Sequence, residues 1–332
     1  MNAPARIPAT IVTGFLGAGK TTLIRDLIAR AQGRRIAIIV NEFGDMGFDG
    51  GLLADCDHDC RPDHIVELTN GCICCTVADE FLPTIEALLA RDPPPEHIVI
   101  ETSGLALPQP LVRAFSWPGV KHRVTVDGVV TVVDAAAVAA GRFVPDAATR
   151  VQLAVDHDDP IEELFEDQLR CADLVIISKA DLVSAGEFAD AEAIVRREAR
   201  AGTGVVNGRG APADVLFGIA ASAEDDMVGR QSHHDIDGEE HDHDDFGSFV
   251  VAVPEAASLD ELRTRVVGAL AVPGVLRIKG RVAVAGKLAP AVVQAVGPRV
   301  EINFAPGAVA SGLVVIGLRG MDRAAIIAAL GG

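Results

Sequence analysis

The sequence predicts an α/β fold: a doubly wound, largely parallel sheet, followed by a small C-terminal α+β unit. Three observations predict it. Over the first ~225 residues, short β-branched runs alternate with amphipathic stretches of helix length, as buried parallel strands and their crossover helices do. A glycine-rich segment, Gly14-Phe15-Leu16-Gly17-Ala18-Gly19-Lys20-Thr21, joins the first such run to the first such stretch. After a tract of His, Asp and Glu, apolar runs resume in a shorter, strand-rich set.

In chain order, strands are expected at 9–13, 35–40, 64–68, 97–100, 129–133, 174–178 and 204–206. Each is apolar and bounded by polar or turn-forming residues. Helices are expected between them at 20–31, 79–90, 161–170 and 187–200. Residues 224–245 break the pattern, with ten acids, four histidines, a single Arg230 and almost no apolar content. Such a segment cannot bury enough surface to fold alone, which makes it a flexible linker. The predicted domains are therefore 1–225, a linker at 226–246, and 247–332. In the last, 247–254, 259–270, 275–278, 282–285, 300–304 and 314–318 read as the elements of a small α+β unit, with 321–330 as its closing helix.

Hydrophobic residues make up 49% of the 332 and aromatics only 4%, so the cores must rest on Ala, Val, Leu and Ile. A net charge of −18 argues against a nucleic-acid or anionic-membrane partner, because neither finds a basic surface to grip. No uncharged run has the length to cross a bilayer, and the N-terminus lacks the basic-then-apolar pattern of a secretory signal. The six cysteines include a vicinal pair and fit no small disulfide scaffold, so reduced, cytoplasmic thiols are expected.

Residues 14–21 match GxxxxGK[ST] in full, with a strand before and a helix after. The fold is therefore that of a P-loop NTPase. Backbone N–H groups of Gly14, Gly17, Ala18 and Gly19, with Lys20, Thr21 and Thr22, form the expected nucleotide cradle. Lys20 would bridge the β- and γ-phosphates and Thr21 would ligate Mg²⁺. Glu101 opens Glu101-Thr102-Ser103-Gly104 at a strand's carboxyl end, where it can hold Mg²⁺ through water or orient the attacking water. Ser178-Lys179-Ala180-Asp181 resembles the guanine-reading NKxD motif: Asp181 would accept from the base N1–H and amine, which adenine cannot offer, and the Lys179 stem would cover the ring. Ser178 stands where Asn is usual, which puts the bracing bond to the phosphate loop in question. Glu42, in Asn41-Glu42-Phe43-Gly44, sits in the position of a first switch loop, and its chemistry suits Mg²⁺, a transition metal or plain surface alike.

The second chemical cluster is Cys72-Ile73-Cys74-Cys75. In an extended backbone Cys72 and Cys74 share a face, and Cys75 needs a turn to join them. Two or three thiolates completed by nitrogen, oxygen or phosphate suit Zn²⁺ or Co²⁺. Cys56, His58 and Cys60 have a spacing that permits a second metal site and equally suits a plain loop; Cys171 reads as core. His233, His234, His241 and His243 would collect divalent metal only loosely from their acidic tract, which serves as well as a solubilising linker. A phosphate loop and a thiol cluster on one chain suggest a transition metal held in one nucleotide state and released in another. A metal buffer leaves the phosphate loop unexplained, and a small-molecule kinase leaves the thiols and residues 178–181 unexplained.

The order GFLGAGKTT, NEFG, GCICC, ETSG, His/Asp tract and small C-terminal domain resembles the CobW-type metal-chaperone GTPases, relatives of the GTPases that insert nickel into urease and hydrogenase. The likeness spans nearly the whole chain and is closest to the branch serving aerobic cobalamin biosynthesis. It implies GTP hydrolysis, a GTP-dependent homodimer, and delivery of Co²⁺ toward the cobaltochelatase. Zinc-handling members share every motif, so Zn²⁺ is the alternative cargo and another metal-receiving protein the alternative partner. It also implies that Cys72, Cys74 and Cys75, with Glu42 and Mg²⁺·GTP in place, form the metal site.

Overall fold

The computed structural model describes residues 6–29, 34–41, 65–68, 81–143, 160–208, 216–233, 235, 246–296, 299–305 and 312–331. They fall into two compact units.

The first unit is built on seven parallel strands: β1 (Ile7–Thr13), β2 (Ile36–Asn41), β3 (Ile65–Leu68), β4 (His97–Glu101), β5 (Val124–Asp134), β6 (Leu174–Ser178) and β7 (Gly204–Asn207). Their order across the sheet is β3-β2-β4-β1-β5-β6-β7. The crossovers include α1 (Lys20–Ala29), α2 (Leu82–Leu89), α3 (Gln109–Ala114), α4 (Ala135–Ala139), α5 (Pro160–Cys171) and α6 (Ala185–Glu198). Both faces of the sheet are covered. Ala37, Ile39, Ile98 and Ile100 pack toward α2 and α3 with Ile85, Leu88, Leu111 and Phe115. Their neighbours Ile36, Ile38, Val40 and Val99 pack on the opposite face with Ile24 and Leu27 of α1. That two-sided burial is why the strands read as unbroken apolar runs.

Two departures from the expected elements have local causes. β5 starts five residues before the expected 129, running through Asp127 and Gly128. Asp127 looks like a turn signal, yet its buried carboxylate accepts the N–H groups of Gly218 (2.6 Å), Ile219 (3.3 Å) and Ala220 (2.9 Å) at a shift in the β1–β5 register. The second departure is the linker. From residue 224 its first half packs on the first unit: Glu224, Arg230 and Ser232 are buried. Glu224 accepts from Thr125 Oγ1 (2.6 Å) and Val126 N (2.9 Å). Arg230 donates to the Cys171 carbonyl at the end of α5 (2.5 Å) and pairs with Asp173 (2.5 Å). Composition excluded a tract folding on its own; it could not show that these charges meet buried partners. Described residues through 235 belong to the first compact unit.

The second unit is a five-stranded antiparallel sheet, order β11-β10-β9-β12-β8, of β8 (Phe246–Ala252), β9 (Val275–Val282), β10 (Ala291–Val296), β11 (Arg299–Phe304) and β12 (Gly312–Leu318). One face packs on α7 (Leu259–Leu270) and α8 (Arg323–Leu330) through Leu262, Val266, Ile278, Val293, Leu313 and Ile326. The expected breaks at 278 and 282 are a single strand: Gly280 (φ 148°) keeps β9 going where a Cβ would lie 2.2 Å from the Gly312 carbonyl oxygen. β10 has no counterpart among the expected strands. No helix among the described residues is long and apolar enough to cross a membrane.

Candidate nucleotide site at the carboxyl ends of the sheet

Four neighbouring strands, β4, β1, β5 and β6, end side by side, and each delivers a polar residue to the same edge. Carboxyl ends of a parallel sheet are where open α/β folds bind ligands. β1 runs into the phosphate loop. Gly14 turns away at φ 129°, and a Cβ there would lie 2.2 Å from the Val132 carbonyl oxygen, so only glycine fits. Gly17 (φ 72°) and Gly19 (φ 104°) complete the curl before α1 begins at Lys20. The buried Lys20 ammonium arches over the loop, donating to the carbonyls of Gly14 (2.6 Å) and Phe15 (3.3 Å). A curled glycine loop that leads into the amino end of a helix is the arrangement that binds anions.

Thr21 and Glu101 meet as a pair. The Thr21 hydroxyl donates to Glu101 Oε1 at 2.9 Å, with the carboxylate buried at the end of β4. A hydroxyl and a carboxylate are hard oxygen donors of the kind Mg²⁺ takes. Thr102 stitches the same strand end to β1, its hydroxyl donating to Thr13 Oγ1 (2.9 Å) and its N–H to the Val12 carbonyl (3.0 Å).

At the other end of the site, Ser178 Oγ lies 2.6 Å from the Ala18 carbonyl oxygen and 3.0 Å from that of Val133. The shorter Ser178 side chain still reaches the phosphate loop. Lys179 holds a left-handed backbone (φ 57°), and its ammonium donates to the Gly17 carbonyl and to Asp134 Oδ2 (3.0 Å). Asp134, not singled out from the sequence, caps α4 by accepting from Ala136 N (3.0 Å) and Ala137 N (3.2 Å). The only signal for it was an acid between a strand and an Ala-rich run. Asp181 follows in an exposed 3₁₀ turn, Ala180–Leu182; Thr22 is also exposed, on α1, and Ala18 is buried in the loop.

The expected metal ligands fare differently. Glu42, Cys72, Cys74, Cys75, His234, His241 and His243, like Cys56, His58 and Cys60, lie outside the described residues. Among those described, no group of three or more His, Cys, Asp or Glu side chains is arranged to hold a metal ion. His233 is described, and its ring is engaged on α5: Nδ1 lies 2.9 Å from Asp167 Oδ1 and Nε2 3.2 Å from Glu166 Oε2. Both ring nitrogens of His233 thus face carboxylates of α5. Burial raises the Asp167 carboxyl to about 6. Cys171 is core, as expected, and burial pushes its thiol up to about 12.

Residues 8–206 match the family model "CobW/HypB/UreG, nucleotide-binding domain", and residues 246–332 match "Cobalamin synthesis protein cobW C-terminal domain". The chain is 51% identical to the zinc chaperone CobW of Sinorhizobium sp, covering 98% of this chain and 96% of that one. It is 47% identical to the zinc chaperone CobW of Pseudomonas aeruginosa, covering 98% and 91%. Its identity to the zinc chaperone YjiA of Escherichia coli is 33%, over 59% of this chain and 56% of that one. With its phosphate loop set in a seven-stranded parallel sheet and both family models matched in order, the chain belongs to the CobW/HypB/UreG family of nucleotide-binding proteins.

Proposed function

We propose that this GTPase is a zinc metallochaperone, which captures its cargo in the GTP state and yields it to a metal-receiving protein after hydrolysis. The observation that carries the proposal is the shared edge of the sheet. β2 ends at Asn41, one residue before Glu42, and β3 ends at Leu68, four residues before Cys72. Both strands run parallel to β1, so they end at the same edge of the sheet as the strand that enters the phosphate loop. A γ-phosphate there has the means to order Glu42 and the Cys72, Cys74 and Cys75 thiols together, and its loss the means to release them.

Within this reading Lys20 neutralises the β- and γ-phosphates, and the Thr21 and Glu101 oxygens hold Mg²⁺. Held by those oxygens, Mg²⁺ would supply positive charge to the phosphates. Asp181 reads guanine while Lys179, oriented by Asp134, covers the base. Reduced thiols require a reducing compartment, which makes the protein cytoplasmic. A GTP-dependent homodimer belongs to the same reading.

Zinc is favoured over the cobalt first expected. The relatives at 51% and 47% identity are named zinc chaperones. A thiolate site also binds Zn²⁺ above Co²⁺ on intrinsic affinity. Cobalt delivery to a cobaltochelatase is the second reading, favoured by the cobalamin-synthesis description of the domain matched by residues 246–332. The test is Zn²⁺ affinity measured without nucleotide, with GDP, and with a non-hydrolysable GTP analogue. The proposal expects a rise of about a hundredfold from GDP to the analogue, lost in Cys74→Ser, with metal raising analogue affinity by the same factor. Equal affinities would separate the GTPase from any chaperone cycle.

A further inference from the structure

We propose that Gln168, on α5 and far from the phosphate loop in sequence, is a positioning residue for GTP hydrolysis. Its side chain is fully buried, and its amide donates to two carbonyls of the loop that follows β4: Gly104 at 3.4 Å and Ala106 at 3.2 Å. Two carbonyl oxygens fix which end of the amide is nitrogen. The helix beneath is held in turn, since the Thr131 hydroxyl on β5 donates to the Gln168 backbone carbonyl at 2.8 Å. A second buried amide answers from the far end of the same segment: Gln109, the first residue of α3, donates to the Asp167 carbonyl at 3.0 Å. Residues 104–109 are therefore stitched to α5 at both ends.

What this segment touches gives the clamp its function. It begins three residues after Glu101, whose carboxylate meets the Thr21 hydroxyl. Thr21 and Glu101 would hold Mg²⁺, which would supply positive charge to the phosphates, so the residues after Glu101 adjoin the part of the site where hydrolysis would take place. Gly104 lies directly on the phosphate loop: a Cβ there would sit 2.7 Å from Leu16 N and 2.9 Å from Leu16 Cα. Gln168 grips the carbonyl of that same residue. It thereby fixes how closely the Gly104 backbone rests on the phosphate loop and where its N–H points. The two amide bonds of Gln168 end on Gly104 and Ala106, not on the glycines of the phosphate loop, Lys20 or Ser178. The clamp therefore acts first on the loop that follows β4, and its effect is expected in kcat before nucleotide affinity.

The inference rests on GTP hydrolysis by this chain, and the experiment keeps the two apart by assaying the unmodified protein alongside. Gln168→Met keeps the shape and removes both donors. Steady-state GTP hydrolysis by the full chain is expected to show kcat lower by about tenfold, with KM for GTP and GDP affinity unchanged. In Gln168→Glu, a neutral carboxyl donates one bond in place of two and a carboxylate donates none. Its kcat is expected to approach that of the unmodified protein at low pH and to fall as the pH rises, a step absent from both the unmodified protein and Gln168→Met. A Met variant with full kcat, or one that loses kcat and GDP affinity in parallel, overturns the proposal. If Gln168→Met does not fold, a Glu variant whose pH profile matches the unmodified protein overturns it equally. An unmodified protein without GTPase activity would instead overturn the reading beneath it.

Discussion

A serine at position 178 illustrates how little side chain is needed when two strands are neighbours. β6 lies beside β5, whose own neighbour β1 leads into the phosphate loop, so a hydroxyl spans the 2.6 Å to the Ala18 carbonyl. Removing one such bond costs about 1 kcal/mol. Ser178→Ala is thus expected to weaken GTP and GDP alike by about fivefold in a fluorescent-nucleotide titration, with the preference for guanine over adenine intact. Asp181→Asn is expected to do the reverse, erasing the preference by turning an acceptor toward donors as a donor. If Ser178→Ala erased the preference, the serine would be reading the base and not bracing the loop. Single residues are legible in the sequence where the motif is local. Gly14, Lys20 and Thr21 stand out because a curled loop entering a helix needs those residue types in that order. Asp134 does not, because its partner Lys179 is 45 residues away and meets it only through the pairing of β5 with β6.

At the scale of elements, the strands buried on both faces are the easiest to read and those with a polar task the hardest. Asp127 hides the start of β5, and Gly280 splits β9, because a buried acid taking three N–H groups and a glycine at a close approach both look like turns from sequence alone. β10 escapes notice because its pattern of Ala, Val and one Gln becomes a strand through its neighbours β9 and β11. The start of β4 carries a testable polar task of its own. Thr10 gives its hydroxyl proton to the Leu216 carbonyl at 3.0 Å, so His97 Nε2, 2.8 Å from Thr10 Oγ1, must be the donor in that contact. Burial holds the imidazole neutral and lowers its pKa to about 4, against a weaker opposing pull from Asp127. The folded value lies below the unfolded one, so between about pH 6.5 and 4 the unfolded chain takes a proton that the native state refuses. Stability is lost as the pH falls through that window, by about 3 kcal/mol in all. An NMR titration of the His97 ring in the native protein is expected to show a midpoint near 4. A midpoint near 6.5 would remove this contribution to acid instability.

At the scale of the molecule, the acidic tract is the part whose composition says least about its structure. Its net negative charge and poverty in apolar residues argue against autonomous folding, yet the described residues 224–233 and 235 include buried ones. Docking depends on what the rest of the chain buries. Asp167, 1% exposed on its side chain, accepts from the His233 backbone N–H at 3.0 Å and from its ring at 2.9 Å. Asp173 takes the Arg230 guanidinium, and Arg113 on α3 pairs with Asp235 at 2.6 Å. The tract is therefore two things in sequence, an anchor through residue 235 and a histidine- and acid-rich remainder. They are separable by experiment. Replacing residues 236–245 by Gly and Ser at equal length preserves the span and removes His241, His243 and six acids. That protein is expected to keep its thermal midpoint and GTP hydrolysis while losing weak, supernumerary metal equivalents in a Zn²⁺ titration. Extending the replacement back to residue 231 also removes the His233 N–H and ring from buried Asp167, which costs about 2 kcal/mol. The longer replacement is therefore expected to unfold at lower denaturant than the shorter one. It should lose no more tight metal than the shorter one does if, as proposed, the tight site is on Cys72, Cys74 and Cys75. Equal stability of the two replacements would mean that His233 and Asp235 contribute nothing as an anchor. Loss of the tight metal equivalent in either would move the cargo site from the thiols to the tract.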